Sequence, residues 1–262
     1  MSTPDRVLVE RDGDIAVWTV NRPEVRNAVD FATLDALLAV VAAAHAEAGL
    51  RAVVLTAAGK SFVSGGDLRE LRNANSPEDG ARVAGLGRRV CEGIAALRVP
   101  VIAALPGPAI GGGAELAVAC DLRIADPRTR LSFKQARMGV TTGWGVLPKL
   151  IAMIGHGQTS RLLLAGQDVD AAEALRIGLV EAVSEEGGSL TTALSWARDV
   201  AKSAPGAIGG FKRLLSEAIS ALPAQVRASE LDLFVEAWSA PDHEEAVEAF
   251  FEARPPKWGA RG

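Results

Sequence analysis

The chain has 262 residues, 48% of them hydrophobic and 23% charged, with a formal net charge of −4 and a sequence pI of about 5.5. These are the proportions of a soluble globular protein, one large domain or a core with an appendage, and the acidic balance argues against a nucleic-acid partner. The two cysteines, Cys91 and Cys120, form neither a metal spacing nor a disulfide framework, which fits a reduced, cytoplasmic setting. No run of about eighteen uncharged apolar residues occurs, and MSTPDRVLVERDGD lacks the apolar core of a leader, so neither membrane span nor signal peptide is expected.

Val7–Glu10 and Ile15–Val20 flank Asp12-Gly13-Asp14 and predict a hairpin. After NRPEVRNAV, Asp30 is the expected N-cap of a helix that runs through His45 and ends near Gly49. RAVVLT (Arg51–Thr56) predicts a buried strand, AGKSFVSGGDL a glycine-bearing turn, and Asp67 the cap of the helical segment that follows. Asn73–Gly80 is polar and expected to be mobile, and Ala81–Leu97 is expected to be helical. Leu122–Ala125 and Leu131–Phe133 predict strands; helices are expected over 156–165, 171–177 and 189–203. After Ala204-Pro205-Gly206 only helices are predicted, over 205–221, 224–239 and 242–253. The expected architecture is α/β, with a core over 1–204 and a helical region over 205–262. The three histidines, His45, His156 and His243, lie far apart and predict no metal site.

Chemistry concentrates in VPVIAALPGPAIGGGAELAVACD (Val99–Asp121), an apolar strand, a Pro/Gly turn, three glycines and a helix. Glycines there let a backbone N–H approach a ligand closely, and the helix N-terminus adds partial positive charge. The spacing matches neither dinucleotide nor P-loop fingerprints, and Glu115 in the first turn would repel a phosphate. The earlier turn, Phe62-Val63-Ser64-Gly65-Gly66-Asp67, also follows a predicted buried strand. One N–H from each turn aimed at a single carbonyl oxygen would stabilise an enolate.

These blocks, together with MGVTTGWG, LLLAGQDVDAAEALRIGLVEAV and FFEARPPKW, resemble the crotonase superfamily of enoyl-CoA hydratases and isomerases in order and spacing along nearly the whole chain. The resemblance implies a ββα spiral core, a C-terminal trimerisation region, an acyl-CoA thioester as substrate, and no metal or redox cofactor. It places the oxyanion amides on Gly66 and Gly112 and the first acid/base glutamate on Glu115. At the second glutamate this chain has Gln135, preceded by Lys134 in place of the usual Pro, and P-G-x-G-G is T-G-W-G-V here. Glutamine exchanges no proton at neutral pH but can orient a water. Hydratase activity is therefore the leading expectation. Loss of CO2 from a methylmalonyl- or ethylmalonyl-CoA-type substrate, which GGGAE, ACDLR, MGV and Trp144 also resemble, is the alternative; isomerisation and a non-catalytic or RNA-binding role follow. Arg26 and Lys60 resemble positions that meet CoA, and Lys257 one that reaches a neighbouring subunit's CoA. Ser64, Gly65 and Asp67 belong to the first turn, and Phe62, Ala109, Leu116 and Trp144 are candidate acyl-pocket residues, with core packing the default for Leu116. Apolar positions such as Ala218, Leu222, Val226, Leu233, Ala237 and Phe250 are the basis for expecting a homotrimer or hexamer.

Overall fold

The computed structural model describes residues 5–72, 74, 76–220 and 224–257, the side chains of 220 and 224–230 excepted. The chain opens with an antiparallel hairpin in which β1 (Val7–Asp12) and β2 (Ile15–Val20) pair from Val7↔Val20 to Asp12↔Ile15. Every later strand of the main sheet is parallel: β3 (Ala52–Ala57), β4 (Val101–Leu105), β6 (Leu122–Ala125) and β9 (Ala182–Val183) join in the order β1-β2-β3-β4-β6-β9. Parallel neighbours need long crossovers. They are supplied by α1 (Phe31–Ala46), α2 (Leu68–Leu71) with α3 (Pro77–Ala96), and α4 (Gly112–Ala119).

β3 and β4 are buried at every position, as strands covered on both faces must be. Val53, Leu55, Ala103 and Leu105 enter the main core with α1, α3 and α4. Ala52, Val54, Ile102 and Ala104 face the other way, against Ala193 and Ala197 of α7 (Ser189–Ala201). A second, three-stranded sheet joins β5 (Ala109–Ile110), β7 (Arg130–Ser132) and β8 (Asp168–Asp170). It continues the turn after β4 and so helps fix the start of α4.

α5 (Leu147–Ala165) is two helices meeting at Gly155, whose φ is 74°; α6 (Ala171–Arg176) follows β8. α8 (Pro205–Ser220), α9 (Ala224–Trp238) and α10 (Pro241–Phe251) close the chain. Phe234 and Trp238 of α9 pack with Leu71, Val83, Ala84 and Val140, and Trp238 Nε1 donates to the Ala74 carbonyl at 2.6 Å. His243 is buried, and its Nδ1 donates to the Met138 carbonyl at 2.6 Å. The C-terminal helices thus brace segments that precede them by about a hundred residues or more.

The hairpin and the α1 cap, Asp30 accepting from the Thr33 N–H at 2.8 Å, stand as expected. The stretch expected to be mobile does not: Ser76 and Asp79 form a reciprocal capping box and helix α3 begins at Pro77. Asn73 lies outside the described residues. β8 and β9, three and two residues long, escape prediction because so short a pairing leaves no periodicity to read.

Candidate active site

The two glycine turns leave the carboxyl ends of β3 and β4, neighbours in the sheet, where open parallel sheets place their sites. Backbone bonds sew them together: Phe62 N–H donates to the Pro108 carbonyl at 3.0 Å and Ile110 N–H to that of Val63 at 2.9 Å. Gly65 and Gly111 have φ of 102° and 57°, and a Cβ on Gly65 would fall 3.3 Å from the Ile110 carbonyl oxygen. A Cβ on Gly113 would collide with the Val63 carbonyl. Only glycine lets the start of α4 lie this close to the first turn.

The first turn is also held from its other side, Val29 N–H donating to Gly65 O and Asp67 N–H to Val29 O. Ala114 and Glu115 N–H both donate to Gly111 O. Among the described residues, the N–H groups of Gly66 and Gly112 have no acceptor. Gly112 is the first residue of α4, so its N–H is one of the donors every helix leaves unpaired at its start, and the helix dipole adds to its positive character.

Glu115, 2% exposed, lies one turn into α4. Gln135 Nε2 donates to its Oε1 at 2.7 Å and the Trp144 N–H to its Oε2 at 2.8 Å. Gln135 opens a 3-10 turn (Gln135–Met138) ended by Gly139. A carboxylate only accepts, so the glutamine amide must turn Nε2 toward it. That leaves the buried Gln135 Oε1 as an acceptor with no partner among the described residues. A fixed base, a buried acceptor and two backbone donors without acceptors among the described residues can together handle a water and a carbonyl that becomes an oxyanion.

Two structural residues of this region were not singled out in NRPEVRNAV. Asn27, fully buried, accepts from the Arg22 N–H and donates to the carbonyls of Ala58 and Ser61, each at 2.8 Å. It staples the first loop to the segment leading into the first glycine turn. Arg22, 8% exposed, pairs with Asp67 at 2.9 Å and Asp30 at 3.3 Å. The signal was a polar pair inside a turn between apolar elements; its partners are distant in sequence and were not legible.

The other expected residues divide. Asp67 caps α2 by accepting from the Arg69 N–H and pairs with Arg22, so its carboxylate is engaged in holding the turn rather than aimed at a ligand. Phe62, Ala109 and Leu116 are fully buried in the main core and pack rather than line open space. Arg26 and Lys60 are exposed on adjoining loops, which meet where a Cβ on Gly59 would fall 3.2 Å from Pro23 Cβ. Ser64 Oγ lies 3.5 Å from the Val25 carbonyl. Lys257 is exposed, its N–H donating to Glu245. Trp144 is buried against Gly112. Among the described residues no cluster of His, Cys, Asp or Glu is arranged to hold a metal ion, and no helix is long and apolar enough to cross a membrane.

Residues 10–261 match the family model described as enoyl-CoA hydratase/isomerase. The chain is 36% identical over 251 residues to a short-chain-enoyl-CoA hydratase of Clostridium acetobutylicum, covering 95% of this chain and 96% of that protein. It is 29% identical over 243 residues to an ethylmalonyl-CoA decarboxylase of Pongo abelii, covering 92% and 81%. The crystal structure of an enoyl-CoA hydratase/isomerase from Xanthobacter autotrophicus Py2 superposes with a TM-score of 0.89 at 29% identity, covering 95% and 94%. The chain belongs to the enoyl-CoA hydratase/isomerase, or crotonase, family.

Proposed function

We propose that this protein adds water across the double bond of an enoyl-CoA thioester. The observation that carries the reading is Glu115, buried and held on both oxygens, in the helix whose first N–H has no acceptor among the described residues. Glu115 takes a proton from water as the water oxygen attacks the β carbon. Electron density moves to the thioester oxygen, which lies against the N–H groups of Gly66 and Gly112, and a proton then returns to the α carbon. Gln135 Oε1 accepts from the same water and holds it in line. Arg26 and Lys60 meet the CoA phosphates or adenine. The hydratase relative supports this reading.

Decarboxylation of an alkylmalonyl-CoA is the second reading, favoured by one observation: the group opposite Glu115 is an amide, which exchanges no proton. Loss of CO2 forms the enolate without a base. Incubation with crotonyl-CoA and ethylmalonyl-CoA, with products read by mass, separates the two; hydration of crotonyl-CoA is the expected result. Gln135→Glu sharpens the test. It would set two carboxyl groups 2.7 Å apart, and such a pair shares a proton, raising one pKa. Hydration should then rise by up to about 100-fold, with a pH optimum that moves with the shared proton. No gain with crotonyl-CoA would favour decarboxylation.

We also propose a homotrimer, or a pair of trimers, in which Lys257 approaches a neighbouring subunit's CoA. Phe211, Leu214 and Leu215 of α8 are 61–67% exposed, and Leu233 and Phe250 are exposed as well. An apolar face of this kind favours association. Leu222 and the Val226 side chain lie outside the described residues. Light scattering is expected to return three or six copies; a monomer at micromolar concentration would contradict this.

A further inference from the structure

We propose that Trp144 sets the acyl length accepted at this site, as a partition between the glycine turn at Gly112 and a larger cavity behind it. The inference rests on the thioester reading above. The indole is pinned between two glycines. A Cβ on Gly112 would fall 2.7 Å from its Cη2 and Cζ2, and one on Gly87 of α3 would collide with its Cε2 and Nε1. At 5% exposure the ring closes the gap between α3 and α4. Its own backbone N–H holds Glu115, so the ring stands beside the reacting atoms.

On its other side Trp144 forms part of the wall of a cavity of about 660 Å³. Cys91 and Ala95 of α3 line that cavity. Gly87, Cys91 and Ala95 recur every four residues and so share one face of the helix. That face leads from the indole into the cavity over about 12 Å, room for a medium-length alkyl chain. Met153 of α5 lines the cavity as well, and Leu215 of α8, exposed and part of the face proposed above for association, borders its open side. Charged groups also line it, and they are paired: Lys149 Nζ donates to the carbonyls of Ala119 and Cys120, Lys212 Nζ to those of Ile94 and Val99 and to Asp121, while Arg123 pairs with Glu181 and Glu92 with Arg88. The cavity therefore suits a hydrocarbon. With the indole in place, an acyl tail leaving the oxyanion turn meets the ring after a few carbons; with the ring removed, the tail passes along α3.

The test compares the parent with Trp144→Ala and Trp144→Leu, both of which keep the N–H that Glu115 needs. Crotonyl-, hexenoyl- and decenoyl-CoA serve as substrates, and calorimetry measures binding of saturated butanoyl- and decanoyl-CoA. The parent should favour the shortest substrate. Each variant should shift the ratio of kcat/KM for decenoyl- over crotonyl-CoA by about 10- to 100-fold, the range an apolar pocket achieves, with tighter decanoyl-CoA binding. Trp144→Leu, which still fills part of the space, keeps the comparison available where the Ala variant does not fold. Adding Ala95→Phe to the opened variant should block the passage again and reverse the gain for decenoyl-CoA. A parent that binds butanoyl-CoA, with folded variants whose length ratio does not move, would overturn the partition and leave the thioester reading standing. A parent that binds no acyl-CoA would overturn both.

Discussion

Glu115→Gln should lower turnover by about 100- to 10,000-fold, the usual loss when a single acid/base group is removed, while KM changes little. The structure shows which contacts this substitution keeps. Glu115 accepts from Gln135 Nε2 on one oxygen and from the Trp144 N–H on the other. A glutamine at 115 keeps the Trp144 bond with its oxygen and turns its NH2 toward Gln135. The Gln135 amide can answer by turning over, so that its oxygen accepts where its nitrogen had donated. Both hydrogen bonds survive, but the turned-over Gln135 NH2 then takes the buried position at which Oε1 has no partner among the described residues, so the variant should melt somewhat below the parent. Steady-state kinetics on crotonyl-CoA, beside a thermal melt, are the measurement. Turnover within about threefold of the parent, in a folded variant, would remove Glu115 from the chemistry.

How far the sequence carries the argument depends on the range of the interaction. Local signals were readable: the Asp30 and Asp67 caps, the hairpin around Gly13, and the strand-turn-helix of Val99–Asp121 each follow from a few adjacent residues. The glycines were legible as an unusual turn, but that Gly113 admits the Val63 carbonyl is a fact about two segments fifty residues apart. Asn27 and Arg22 were invisible for the same reason, because their partners at Ala58, Ser61 and Asp67 are supplied only by the fold. Phe62 departs the other way: its place beside the first glycine turn suggests a pocket, whereas its side chain is fully buried in the main core, where Leu116 also packs by default. The Ser76–Asp79 capping box was in plain view as S-x-x-D before a helix, and the polar composition around it hid the signal.

Gly112→Pro tests whether the helix start is chemistry or architecture. Gly112 is the first residue of α4, a position where proline's fixed φ suits the helix and its missing N–H breaks no internal bond. The substitution thus deletes the proposed oxyanion donor while α4 can keep its course. It does not come free of steric cost, since any Cβ at 112 falls 2.7 Å from the Trp144 ring, and displacing a packed indole costs about 1–3 kcal/mol. Gly112→Ala carries the same Cβ and keeps the N–H, so it is the matched reference, and it should itself be less stable than the parent. Against that reference, Gly112→Pro should lose about a further 100- to 1,000-fold in kcat, the loss expected for one oxyanion donor. Melting temperatures and light scattering must match between the two variants for the comparison to count. If the proline and alanine enzymes turn over crotonyl-CoA equally, the Gly112 N–H does not carry the enolate, and stabilisation of the oxyanion at this helix start would have to be abandoned.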